Sequence, residues 1–233
     1  MWCIFCRLYT FVTMLETESL RKNLVRFVTN LIVRYMLAGV VVYCCWTAIM
    51  YYVHYWFLWH VILCTFGMIP LMTEALMLFA PDELWTKQLT RTQKYWIHGF
   101  LMILGTVLVS AGCIDNFYNI LKGYHLYTAH GIVGLIAMIL FILSIVVGCL
   151  ANYSQRLTKF GRPVTFKFIH NFLGLLGFVI GIASLCCGYY TNWFVNRTSE
   201  ESRIVAVVVT ILASLWILNG SLVSLYNQIK TRT

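Results

Sequence analysis

The chain has 233 residues, of which 61% are hydrophobic and only 11% charged, and its mean hydropathy is +0.79. A soluble fold has no means of hiding that much apolar surface, so the expected solvent is lipid. The formal net charge of +9 suits anionic lipid at a membrane surface and requires no nucleic acid.

A membrane-crossing helix takes about 20 mostly apolar residues. Read in chain order, six stretches qualify, at roughly 33–53, 56–79, 96–113, 129–150, 168–190 and 204–225. The expected fold is therefore all-α: a polytopic membrane protein of six helices. Residues 1–30 form a cytoplasmic leader, 31–226 the membrane domain and 227–233 a cytoplasmic tail. Met14 is an alternative start, which would make 1–13 an extension. The short apolar run at the N-terminus precedes its basic residues instead of following them, so it does not read as a cleavable signal peptide.

Lys and Arg in short loops prefer the cytoplasmic side. With a cytoplasmic N-terminus, the inside segments hold Arg7, Arg21, Lys22, Arg26, Arg34, Lys87, Arg91, Lys94, Arg156, Lys159, Arg162, Lys167, Lys230 and Arg232. The outside segments hold only Lys122, Arg197 and Arg203. Both termini are thus expected in the cytoplasm, in an endoplasmic reticulum or vesicle membrane ahead of the plasma membrane.

Four histidines sit just inside the starts of successive spans: His60, His98, His130 and His170. Successive spans enter from alternate sides. His60 and His130 therefore fall near the outer face, and His98 and His170 near the cytoplasmic face. Each lies a few residues inside its span, about 5 Å deep at about 1.5 Å per residue. In a core about 30 Å thick the two levels are then roughly 20 Å apart. Neutral imidazoles from facing helices fill both axial positions of a haem iron, so each level suits one haem b with two histidine ligands. The expected core is four helices holding two haems. Positions seven residues after each histidine are small (Gly67, Gly105, Ala137 and Gly177), and positions four after are Cys64, Met102, Gly134 and Gly174. These share the histidine's face and are read here as room for a porphyrin. The competing reading is close helix packing, which small residues also serve in membranes. The spacing repeats: 38 residues from His60 to His98 and 40 from His130 to His170. His54 and His125 fall in or beside outside loops and are interfacial by default.

At these residues the chain resembles the cytochrome b561 family of transmembrane reductases. The matching segments are Trp59-His60, Leu71-Met72-Thr73-Glu74-Ala75-Leu76, Ala129-His130-Gly131, His170-Asn171-x-x-Gly174 and Ile182-Ala183-Ser184-Leu185. The resemblance runs from about Leu15 to the C-terminus. It implies haem ligands on helices two to five, paired two with four and three with five. It implies cytoplasmic ascorbate as electron donor, with monodehydroascorbate radical or ferric iron as acceptor, and it suggests a homodimer. Two departures stand out. Val61 occupies a position where many relatives carry proline, and clear versions of the substrate-binding motifs of ascorbate-linked members are missing.

Other residues with chemical potential are fewer. Glu74 lies in the second span, where a carboxylate is expensive and faces the bundle interior or water. It either tunes the inner haem or relays a proton, or else is a hydrogen-bonded structural group. Lys94 and Lys167 stand nearest the cytoplasmic ligands and are the candidate donor contacts, against the plain positive-inside rule. His125, near His130, is the candidate on the acceptor side. Cys3 and Cys6 have CxxC spacing without a second pair, and the seven remaining cysteines read as small apolar span residues. Asn196-Arg197-Thr198 is a glycosylation sequon in an outside loop. The rival functions are a haem-free proton-coupled transporter using His and Glu74, and a haem-free membrane partner protein. The transporter reading gives no reason for a small residue seven positions after every histidine, and the presence of all four candidate ligands argues against a haem-free partner.

Overall fold

The computed structural model describes residues 2–52, 54–80, 86–120, 126–153 and 162–230, with side chains described from Glu18 onward apart from Ser19. Among these residues all regular secondary structure is helical. The elements are α1 (Trp2–Met50), α2 (Tyr55–Phe66), a π-helical turn (Gly67–Leu71), α3 (Met72–Met77), α4 (Arg91–Asn119), α5 (Ala129–Asn152), α6 (Pro163–Gly188), α7 (Asn192–Val195) and α8 (Glu200–Lys230). The segment from α2 to α3 is one continuous span. Six helices are long and apolar enough to cross a membrane: Leu20–Met50, Tyr55–Met77, Arg91–Asn119, Ala129–Asn152, Pro163–Gly188 and Glu200–Lys230. The protein is an integral, multi-pass membrane protein.

The helices start where local chemistry starts them. Thr90 caps α4 in a capping box, its side chain accepting from the Gln93 N–H while the Gln93 side chain accepts from the Thr90 N–H. Thr128 caps α5 by accepting the Gly131 N–H at 3.1 Å. Pro163 occupies the first turn of α6, where its missing N–H costs nothing. The expected span limits needed moving. α4 begins five residues before the expected 96, α6 begins five before the expected 168, and residues 2–30 continue the first span as helix.

The π-helical turn coincides with Pro70. Proline has no N–H to donate and its ring crowds the carbonyl one turn back, so the helix widens there and takes in an extra residue. The Thr73 hydroxyl bonds back to the Ile69 carbonyl just beyond it.

Packing is closest within two antiparallel helix pairs. α2, with its continuation, lies along α4, and α5 lies along α6. Neither α2 with α5 nor α4 with α6 has extensive backbone contact among the described residues. α1 and α8 pack on one another and brace this four-helix core from outside. At mid-height the core is an apolar layer containing Met68, Met72, Val109, Ala137, Phe141 and Phe178.

Candidate haem sites

Each of the four histidines is half-buried, and each directs its Nδ1 at a backbone carbonyl on the neighbouring helix of its pair. His60 meets the Gly112 carbonyl at 3.1 Å, and His98 meets Ala75 at 3.0 Å. His130 meets Ser184 at 2.8 Å, and His170 meets Ser144 at 2.9 Å. A carbonyl only accepts, so Nδ1 carries the proton in every case. The lone pair is therefore on Nε2, the form that binds a metal.

The register is regular. From ligand to the carbonyl that serves the other level is 14 residues in three helices: His98 to Gly112, His130 to Ser144 and His170 to Ser184. At about 1.5 Å per residue this sets the levels about 21 Å apart, in line with the sequence expectation. In the remaining span, His60 to Ala75 is 15 residues. The π-helical turn between them absorbs the extra residue.

Across the two pairs the imidazoles face each other at two levels. The His60 and His130 ring centroids are 5.9 Å apart, with planes at 81°. Those of His98 and His170 are 6.1 Å apart, at 89°. A metal–imidazole bond is about 2.0–2.1 Å, so two in line plus the radius of each ring put the centroids roughly 6 Å apart. Both pairs therefore have the separation of a two-imidazole metal site. The donor set suits haem iron, and the loose α2–α5 and α4–α6 seams are where a flat ring would lie. Unsatisfied donors also lie near each level. Asn171 Nδ2, adjacent to His170, and Trp193 Nε1 are buried without a hydrogen-bond partner. Trp193 packs on Phe57 at 4.7 Å, and Phe57 lies 6.2 Å from His60. These N–H groups would suit a cofactor carrying carboxylates.

The small residues act differently from the expectation. A Cβ on Gly67 would meet the Gly105 carbonyl oxygen at 2.6 Å, and one on Gly105 would meet that of Gly67 at 2.9 Å. One on Gly177 would meet Phe141 at 3.1 Å, and Ala137 is buried. The space these residues leave is filled by the partner helix of the same pair, so they serve helix packing and not porphyrin room. The positions four after the later histidines do the same: a Cβ on Gly134 would lie 3.0 Å from the Ser184 hydroxyl, and one on Gly174 3.2 Å from that of Ser144. The glycines that do clear the imidazoles are Gly148, beside His170, and Gly188, beside His130. Sequence spacing did not single them out.

The remaining candidates divide. Glu74 forms a two-point ion pair with Arg34 of α1, at 2.5 Å from Arg34 Nε and 3.0 Å from Nη2. The carboxylate is thus held by a cation from α1. Lys94 is half-buried and donates to the Thr86 hydroxyl at 3.0 Å. Lys167 is exposed, one turn before His170 on α6. His125 lies outside the described residues. His54 is exposed and stacks on Trp56 at 5.4 Å. The Arg34–Glu74 pair and the meeting of Cys64 with Cys113, 3.8 Å between sulfurs, had no sequence signal beyond the residue types.

Six apolar helices carrying two facing imidazole pairs define an integral membrane protein with two candidate two-imidazole sites. The family model for eukaryotic cytochrome b561 matches residues 59–196, and the chain belongs to the cytochrome b561 family of transmembrane reductases. It is 32% identical over 166 residues to the mouse protein Transmembrane reductase CYB561D2, covering 70% of this chain and 74% of that one. It is 31% identical to the human protein of the same name over the same shares. It is 28% identical over 140 residues to mouse Plasma membrane ascorbate-dependent reductase CYBRD1, covering 59% of this chain and 47% of that one. No solved structure matches the chain.

Proposed function

We propose that the protein passes electrons across its membrane from cytoplasmic ascorbate to an acceptor on the opposite side, monodehydroascorbate radical or ferric iron. In this reading His98 and His170 hold a haem b at the cytoplasmic level, and His60 and His130 hold one at the far level. Bound there, each haem would supply a one-electron couple. The observation that carries the proposal is the pair of imidazole couples, 5.9 and 6.1 Å between centroids, with every Nδ1 on a carbonyl.

The chain's own residues do the rest. The Gly112, Ala75, Ser184 and Ser144 carbonyls fix the tautomer and ring orientation of the four ligands. The apolar layer between the levels keeps water and ions out of the path. Lys94 and Lys167, with the other basic residues of the two loops they adjoin, form a cationic rim that concentrates an anionic donor. His125 serves the acceptor side. The basic-residue bias supports a cytoplasmic position for both termini. The Arg34–Glu74 pair supports reading Glu74 as a structural carboxylate ahead of a proton-relay group.

The test is a reduced-minus-oxidised visible spectrum of the purified protein, with ascorbate and then dithionite as reductants. A b-type band with about two haems per chain, mostly reduced by ascorbate, is the expected result. His60→Ala and His98→Ala should each remove about one haem. Reduction by dithionite alone would remove ascorbate as donor and leave the haem sites standing. A folded, haem-supplied protein with no band would overturn the proposal.

A further inference from the structure

Cys64 on α2 and Cys113 on α4 come together within one of the two close helix pairs. Their sulfurs are 3.8 Å apart. Cys64 Sγ also lies 3.7 Å from the Val109 carbonyl and 3.7 Å from His60 Nδ1. The approach depends on Gly112: a Cβ there would sit 3.0 Å from Cys64 Sγ. Two thiols held in contact on different helices, with no side chain between them, need only a short further approach to reach the S–S bond length of about 2.05 Å.

We propose that Cys64 and Cys113 form a reversible disulfide, a thiol-redox site beside His60 that is oxidised by a hydroperoxide. One sulfur attacks a peroxide oxygen: an S–O bond forms, the O–O bond breaks and water leaves. The second sulfur attacks the resulting sulfenic sulfur: the S–S bond forms, the S–O bond breaks and a second water leaves. Two thiols and one hydrogen peroxide thus give one disulfide and two waters, with two electrons passing from sulfur to peroxide. A small uncharged oxidant suits a partly buried site within an apolar helix pair. Two external thiols reverse the reaction by exchange, leaving as their own disulfide. The link would tie α2 to α4 at the His60 level and remove both thiol hydrogens from beside the imidazole. His60, Cys64 and Cys113 also lie close enough together to hold a soft metal ion. That arrangement would require His60 Nδ1 to give up the proton it donates to the Gly112 carbonyl, so the disulfide is the better reading.

The experiment uses the full chain in lipid nanodiscs, fully reduced and then exposed to hydrogen peroxide. The sample is quenched, alkylated under denaturing conditions and mapped without reduction. The expected result is a cross-linked peptide joining Cys64 to Cys113, two fewer alkylated thiols than in the reduced sample, and full recovery with a phosphine reductant. Cys64→Ser and Cys113→Ala should each abolish that peptide. Because the wild-type map carries the result, a variant that fails to fold does not decide it. Both cysteines alkylated after peroxide, sulfinic acid at either without a cross-link, or thiols masked by bound metal before peroxide would each overturn the proposal. None of these readouts depends on haem content.

Discussion

At the residue scale, the site is a set of four imidazoles each pinned by one backbone carbonyl. The pinning tolerates almost no added volume at one place. A Cβ on Gly148 would lie 2.8 Å from His170 Cε1 and 2.9 Å from its Nδ1, whereas one on Gly188 would lie 3.3 Å from the same atoms of His130. The first distance forces the ring to move, while the second asks for a few tenths of an ångström. Gly148→Ala should therefore cost about one haem per chain and about 1–3 kcal/mol from overpacking, while Gly188→Ala should keep both haems. Haem-to-protein ratios and thermal melts of the two variants check this. The histidines were legible in the sequence because an ionisable residue recurring just inside successive apolar spans is rare enough to stand out. Their carbonyl partners were not, since a backbone oxygen has no residue signature. Gly148 and Gly188 were hidden for a related reason, because they lie on the partner helices and not along the histidines' own.

At the element scale, the helix pair is the unit, and its register explains the π-helical turn. Three spans separate ligand from serving carbonyl by 14 residues, and the second uses 15 with the turn at Gly67–Leu71 between. Removing one residue from a membrane helix ordinarily rotates everything beyond it by about 100°. Here, deletion of Pro70 should convert the π turn to α-helix, restore the 14-residue spacing and keep both haems. Deletion of Leu104 at the same height of α4 should lose at least one. The paired spectra of the two deletions test whether the turn is a register device. The six spans and their order were readable from hydropathy alone, because lipid demands long apolar helices. Which spans pair closely was not. The small residues Gly67, Gly105 and Gly177 read as porphyrin room along one helix, whereas a partner helix fills the space they leave. The ion pair from Arg34 to Glu74, which ties α1 to α3, joins residues 40 positions apart and shows only once the helices are placed. Glu74→Gln removes one charge of a half-buried pair and should cost roughly 1–3 kcal/mol, below the full penalty for a deeply buried one. A double-mutant cycle with Arg34→Gln, read by thermal melting, would isolate the pair's own share.

At the scale of the whole molecule, the two levels are unlike in their surroundings although alike in their ligands. The His98–His170 level lies toward the ends of α4 and α6 that carry Arg91, Lys94, Arg162 and Lys167, while the His60–His130 level lies toward the ends of α2 and α5, where His54, Tyr55 and Tyr127 are exposed. If the basic end faces the cytoplasm and receives ascorbate, the two single-site losses must differ in kind. Take vesicles in which the basic end faces a lumen loaded with ascorbate and the opposite end faces the medium. His60→Ala should leave one haem that the enclosed ascorbate still reduces quickly, because the donor's level is intact. His98→Ala should leave one haem that ascorbate inside reduces at least tenfold more slowly, because an apolar layer separates it from the donor. Both variants should fail to reduce an impermeant ferric chelate outside. Equal reduction in the two variants would mean that the donor reaches either level, and it would remove the direction from the proposal while leaving the sites in place. The reverse asymmetry would invert the assignment of donor and acceptor ends, and with it the reading of the basic rim.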